Sequence, residues 1–323
     1  MTHVPFLRRL LGAVAASAVL LGSAHAAAPM IKTQAPGYYR VMVGDFEVTA
    51  LSDGTVALPM DKVLTNTTPT AVEAALARDF MKTPVETSVN GYLVNTGAKL
   101  VLIDTGAAGL FGPTLGNLLA NLKAAGYQPE QVDEVYITHM HADHVGGLMN
   151  GAALAFPNAT VRADRRDADY WLSQANLDKA AAADKGFFQG AMASLNPYVA
   201  AGKFKPFDGA KGDTELVTGV KAVATPGHTP GHSLYRIESQ GQTLMLWGDL
   251  IHAAALQFNE PSVTIVFDVD SKAAVVQRQQ AFADAASKGY LVGASHLAFP
   301  GLGHLRAQGK AYAWVPLNYS GLK

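Results

Sequence analysis

Thr138-His139-Met140-His141-Ala142-Asp143-His144 follows the apolar run Val135-Tyr136-Ile137 and precedes Gly146-Gly147. Four potential metal ligands therefore fall within six residues. Side chains two apart in an extended segment point the same way, so His139 and His141 leave the strand end on one side and can grip one ion. Asp143 and His144 come after the turn and can face a second. Imidazole nitrogen and carboxylate oxygen suit a borderline cation such as Zn²⁺ with no cysteine needed. Side chains this short would hold two ions about 3.5–4 Å apart, the spacing of two-metal hydrolytic sites. One histidine here would read as a satisfied polar loop; four ligands at a strand end do not.

The composition sets the frame around this motif. Arg8-Arg9, the apolar run Leu10–Leu21 and Ser23-Ala24-His25-Ala26 have the order of a secretory signal peptide over residues 1–26. That run is too short to span a membrane, which takes about 20 apolar residues. The arginine pair raises twin-arginine export, but its flanks match general secretion better. Either route gives a periplasmic or secreted protein. Cleavage removes two of the 25 basic residues and none of the 26 acidic ones, leaving a formal charge of −3 and no footprint of a nucleic-acid groove. The chain has no cysteine, so its core must hold an exported fold without disulfides. Residues 27–323 show no long linker or internal repeat and read as a single domain.

The H-x-H-x-D-H pattern resembles the signature of the metallo-β-lactamase superfamily. Within it, the chain is similar to the methyl parathion hydrolase group through Ala35-Pro36-Gly37-Tyr38-Tyr39-Arg40, the run TGAAGLFGPTLG at 105–116 and Ser295-His296-Leu297. The resemblance implies an α/β fold, the αβ/βα sandwich of two facing mixed β-sheets with helices outside and metals at one edge. It also implies a homodimer. It makes His139, His141 and His228 ligands of the first metal and Asp143, His144 and His296 ligands of the second. Asp249 bridges them, since one carboxylate has two oxygens to share. Asp249 and Asp143 are the carboxylates assigned to catalysis, and Asp104 stands behind the ligands to orient a histidine. Phe111, Trp171 and Phe187 would line an apolar mouth.

Along the chain, Tyr39–Leu51 reads as two strands around Gly44-Asp45, continuing to Leu58. Leu64-Thr65-Asn66 reads as loop and Thr70–Met81 as a helix started by Thr67-Thr68-Pro69. Strands are expected at Ser88–Val94, Lys99–Ile103, Thr160–Ala163, Gly219–Ala224, Thr243–Trp247, Ser262–Asp268 and Tyr290–Ala294. Helices are expected at Asn117–Ala125, Asp167–Leu177 and Ala273–Ser287. The segment around Phe187 and Phe188 shows little pattern. Gly146-Gly147 should permit a tight return. Asp104 and Asp249 are both acids at strand ends, and Pro226, Gly227, Pro230 and Gly231 stiffen the loop presenting His228. His232 is read as bonding within that loop and His304 as lying in a loop near the site, neither as a ligand.

Two cations sharing a water lower its pKa towards neutrality, supplying hydroxide without a Ser or Cys nucleophile. Zinc is the default, with Mn²⁺, Co²⁺ and Fe²⁺ also compatible. No general acid stands out, so a leaving group such as phenolate, with a pKa near 10, is favoured. In the substrate pocket that the resemblance implies, the chain has Leu64 where methyl parathion hydrolase has an arginine, His252 for a leucine, Ile265 for a threonine and Phe267 for a leucine. It also lacks one residue around Asp184-Lys185. These departures point towards dihydrocoumarin hydrolases. A larger Phe267 and a polar His252 suit a flat aromatic lactone or aryl ester better than a tetrahedral phosphotriester, which becomes the alternative substrate. A redox di-iron protein would carry a carboxylate in place of His141, a binding module would have lost part of the ligand set, and the commonest class B β-lactamases use a cysteine.

Overall fold

The computed structural model describes Met1 and residues 28–322, so the signal-peptide reading lies outside the described residues. By its internal contacts the chain divides at Ala35/Pro36. Residues 28–35 are exposed and carry no regular structure. Among the described residues, no helix is long and apolar enough to cross a membrane.

Residues 36–322 form two mixed sheets. The N-terminal sheet orders its strands Tyr38–Val43, Phe46–Leu58, Val85–Asn95, Leu100–Ile103, Glu134–Tyr136 and Thr160–Arg162. Its first four strands are antiparallel and its last two pairings parallel. The C-terminal sheet orders Thr214–Val217, Val220–Ala224, Ser233–Ser239, Gln242–Leu246, Leu291–Gly293, Leu302–Gln308 and Ala311–Pro316. Its one parallel pairing joins Gln242–Leu246 to Leu291–Gly293.

Period-two alternation decides which face goes where. Val101 and Ile103 point inward, with Tyr92, Val94, Val48 and Tyr136, against Val220, Ala222, Tyr235, Ile237 and Leu244 of the other sheet. Leu100, Leu102 and Leu93 point outward, under Leu118 and Leu122 of the helix Leu118–Ala124 and Leu195 and Tyr198 of the helix Lys185–Ala200. On the far side Leu234, Met245 and Val292 are covered by Phe282 and Ala285 of the helix Ser271–Lys288. This is the helix, sheet, sheet, helix sandwich expected. Fully burying each large apolar side chain contributes about 1.5–3 kcal/mol. The inner layer ends beneath the H-x-H-x-D-H motif, where Tyr235 stacks on Tyr136 at 5.6 Å and its hydroxyl donates to Ile137 O at 2.8 Å.

Several local expectations are corrected. Leu64-Thr65 is not loop but a two-residue strand paired with Thr264-Ile265, all that remains of the strand expected at Ser262–Asp268. The helix expected at Asp167–Leu177 splits into Arg165–Trp171 and Gln174–Lys179. Asp164 and Ser173 cap them by accepting from Arg166 N and Asn176 N, which leaves one helix no reason to run on. Phe187 and Phe188 sit in the helix Lys185–Ala200, whose Gly186, Gly190 and Pro197 had hidden it. His304 lies in a strand, its Nδ1 donating to the carbonyls of Gly289 and Tyr290 at 3.1 Å.

Candidate metal centre

The parallel strands Leu100–Ile103 and Glu134–Tyr136 stop together, with Ile103 opposite Tyr136. Asp104 then turns into the left-handed region at φ 58°, a conformation costing an ordinary residue about 1–2 kcal/mol. Its contacts offset that cost: Oδ1 accepts from Thr138 N at 2.8 Å, and Oδ2 accepts from Thr138 Oγ1 at 2.7 Å and His144 Nδ1 at 2.8 Å. The motif is therefore anchored to the neighbouring strand. His141 sits at the N-cap position of the short helix Ala142–Val145, which carries Asp143 and His144 and sets the His144 ring 4.1 Å from that of His139. The return at Gly146-Gly147 depends on close approach rather than on positive φ: a Cβ on Gly147 would lie 1.9 Å from Thr105 O.

The C-terminal sheet delivers one donor from each of three strand ends: His228 after Val220–Ala224, Asp249 after Gln242–Leu246 and His296 after Leu291–Gly293. The structure brings all seven expected donors together. His139, His141, His228 and Asp249 form one group and Asp143, His144 and His296 a second, the donor atoms within each lying within 4.8 Å of one another. Asp249 faces both. Its Oδ2 lies 3.5 Å from His139 Nε2 and 3.3 Å from His228 Nε2, whereas its Oδ1 lies 3.0 Å from both His144 Nε2 and His296 Nε2.

Part of the donor set is left without a protein partner, although Nε2 of His228 and Nδ1 of His141 lie 3.1 Å apart. Nε2 of His139 and His144 and Oδ1 of Asp249 are buried and have no hydrogen-bond partner, an arrangement costly unless something electropositive collects their lone pairs. The opposite ring nitrogens are committed. His296 Nδ1 donates to Ser88 O at 2.9 Å; a carbonyl can only accept, so Nδ1 carries a proton and Nε2 is the nitrogen turned to the centre. His144 Nδ1 is held by Asp104, and His228 Nδ1 lies 2.8 Å from Asp268 Oδ1. Burial, then neighbouring His144, pushes His139 well below the ordinary histidine range; burial and His228 do the same to His141. Burial opposes charge on Asp249, but the surrounding histidines outweigh it and hold its carboxyl well below the usual range. Burial also opposes charge on His144, His228 and His296, but Asp249 and the other nearby carboxylates outweigh it and raise all three above the ordinary histidine range, so imidazoles shifted in both directions surround one ionised carboxylate.

His232 is not a donor: Nδ1 lies 2.9 Å from Thr225 Oγ1, and Nε2 accepts from Asp249 N at 3.1 Å. His252 does more than pack. Its Nε2 lies 3.0 Å from Asp249 Oδ2, its ring stacks on His296 at 5.0 Å, and Gln257 Oε1 accepts from its backbone N at 2.8 Å.

Phe111, Phe187, Phe267, His252, Val56 and Leu58 close over Asp143, Asp249 and His296. Beyond the Phe187–Phe267 pair, whose rings are 6.3 Å apart, opens a cavity of about 410 Å³ bordered by Trp171, Tyr170, Phe188, Asn176, Lys179 and Asp184. His141 touches both spaces, with Trp171 and Phe187 at 5.2 and 4.9 Å from its ring. Leu64 and Ile265 line neither space. They pair with each other in a buried cluster that also packs Phe267, so they back the wall rather than form it.

Two residues escaped the sequence reading. Asp167 is fully buried; its Oδ2 accepts from Met140 N at 2.9 Å and its Oδ1 from Gly231 N at 2.6 Å, clamping the motif to the His228 loop. Burial pushes its carboxyl up to about 6 despite those donors. Gly231 has to be glycine at this clamp, since a Cβ there would lie 2.5 Å from Asp167 N. The other is Asp268. An acid ending the apolar run Val263–Phe267 was visible, the feature that marks Asp104 and Asp249.

The sequence profile of the metallo-beta-lactamase superfamily matches residues 84–297. An N-acyl homoserine lactonase from Bacillus sp. is 31% identical over 168 residues, 46% of this chain and 58% of the relative. One from Bacillus cereus is 29% identical over 177 residues, 48% of this chain and 60% of the relative. The matches thus span less than two thirds of these curated relatives. Among solved structures, the hydrolase AbOPH of the beta-lactamase superfamily superposes with a TM-score of 0.84 at 36% identity, over 90% of this chain and 100% of that one. AidC, a dizinc quorum-quenching lactonase bound to a homoserine product, superposes with a TM-score of 0.77 at 25% identity, over 88% and 99%.

Proposed function

The chain belongs to the metallo-β-lactamase superfamily, and on that premise we propose that it is a metal-dependent hydrolase that holds two divalent cations and opens lactones. The observation that carries this reading is Asp249, one oxygen turned to each histidine group. His139, His141 and His228 would hold one cation and Asp143, His144 and His296 the other, with Asp249 placed to serve both. The dizinc centre of AidC supports zinc as the metal. When bound, two such cations would supply hydroxide at neutral pH and polarise the substrate oxygen.

The chain's own residues do the rest. Asp104, Ser88 O and Asp268 fix three imidazoles with Nε2 towards the centre. Phe111, Phe187 and Phe267 exclude water around the scissile bond. Flat aromatic lactones and aryl esters of the dihydrocoumarin kind match this aromatic lining, and their phenolate leaves with little protonation. Phosphotriesters of the methyl parathion kind are the alternative, disfavoured by the bulk of Phe187 and Phe267 over the donors. The cavity beyond that pair favours a second reading, an N-acyl homoserine lactone whose acyl arm would occupy it. Relative kcat/KM of one zinc-loaded preparation for dihydrocoumarin, an N-acyl homoserine lactone and methyl parathion tests the ranking. At least tenfold preference for dihydrocoumarin is expected; preference for methyl parathion would overturn the lactonase reading. Export after cleavage at Ala26 and homodimerisation belong to the same proposal, tested by N-terminal sequencing of secreted protein and by sedimentation.

A further inference from the structure

Each histidine group contains one imidazole backed by a buried carboxylate. In the second group it is His144 on Asp104, as the family resemblance led one to expect. In the first it is His228, whose Nδ1 lies 2.8 Å from Oδ1 of Asp268, a side chain with no exposure. We propose that Asp268 is the positioning residue of the His228 donor, setting the affinity of the metal held by His139, His141 and His228 without touching that metal. The inference rests on the two-cation reading above.

Three further contacts show that the arrangement is built. Asp268 Oδ2 accepts from Ile265 N at 3.2 Å, which fixes the carboxylate plane. The backbone on either side is tied to the same loop, Val269 N donating to His228 O at 2.9 Å and Asp270 N to Gly227 O at 2.9 Å. His228 is thus gripped at its ring and at its carbonyl by one short strap. No other group takes the Nδ1 proton, so loss of the carboxylate frees the ring to rotate or to change tautomer, and either withdraws Nε2 from the centre. Of the other imidazoles of this group, His139 Nδ1 meets the Thr138 hydroxyl at 3.1 Å, whereas His141 turns its Nδ1 inward, 3.1 Å from His228 Nε2. The first group should therefore depend on Asp268 as the second depends on Asp104.

The test is metal binding by Asp268→Asn and Asp268→Ala, read by chelator competition and cobalt(II) spectra at one and two equivalents, alongside urea unfolding of the metal-free proteins. The native chain is expected to hold two metals. Asp268→Ala should hold one as tightly as native and the other about 10–100-fold more weakly. Asp268→Asn, which keeps an acceptor oxygen but not the charge, should fall between and carries the test if the alanine variant does not fold. Unchanged affinity for both metals in Asp268→Asn overturns the proposal. So does equal weakening of both alongside a loss of metal-free stability, because that marks a structural role. Absence of metal binding by the native chain overturns this inference and the two-cation reading together. The expected binding pattern in a protein that opens no lactone refutes the lactonase reading alone.

Discussion

The two sheets furnish the same centre by opposite means. The N-terminal sheet supplies four donors from one turn, His139 to His144, whose mutual placement follows from six consecutive residues and one short helix. The C-terminal sheet supplies His228, Asp249 and His296 from three separate strand ends, brought together only by strand order. Local chain geometry guarantees the first set; sheet register guarantees the second. A perturbation of the C-terminal scaffold should therefore disperse donors, whereas one in the N-terminal turn should remove them one at a time.

Substitution at the point where the two sets meet should have the largest effect. Asp249→Ala removes the one group facing both, so metal content by atomic emission should fall from two per chain towards none, and kcat/KM by more than about a thousandfold. Retention of both metals would break the symmetry drawn here. One step down, His139→Ala and His296→Ala should each cost a single, different metal, distinguishable by cobalt(II) spectra; loss of both in either variant would show that the sites do not fill independently. Asp167→Ala probes the clamp between the sets. It strands the buried N–H groups of Met140 and Gly231 and should cost about 2–4 kcal/mol in urea unfolding. Phe282→Ala, behind the C-terminal sheet, should cost about 3–5 kcal/mol while leaving two metals on the folded fraction. The smallest effect is expected at the mouth, where Phe267→Leu should raise the phosphotriester-to-lactone ratio of kcat/KM severalfold.

The same contrast explains what could be read from sequence. The unbroken apolar runs Leu100–Ile103 and Tyr92–Val94 fit strands buried on both faces, as a sandwich between helices requires. The helix at Lys185–Ala200 escaped because Gly186, Gly190 and Pro197 are poor helix formers, and tertiary burial of Phe188, Leu195 and Tyr198 overrides propensity. Leu64 and Ile265 were placed in the pocket wall although they sit behind it, since nothing in either segment reveals that they pair with each other across 200 residues. Asp268 carried the mark that identified Asp104 and Asp249, an acid ending an apolar run. Its partner His228 lies 40 residues away and gave no sign of needing one.

By itself the sequence determined the chemistry on offer: imidazoles and carboxylates without thiols, four of them on one turn, with apolar periodicity enough for a core. The tertiary structure alone decided that Asp249 shows one oxygen to each group, that Asp167 and Asp268 back the loops, and that two phenylalanines divide the space above the site. The physical reason is one of range. Ligand type and strand period are properties of a few consecutive residues, whereas the direction of a lone pair is set by hydrogen bonds and sheet register between residues far apart in the chain.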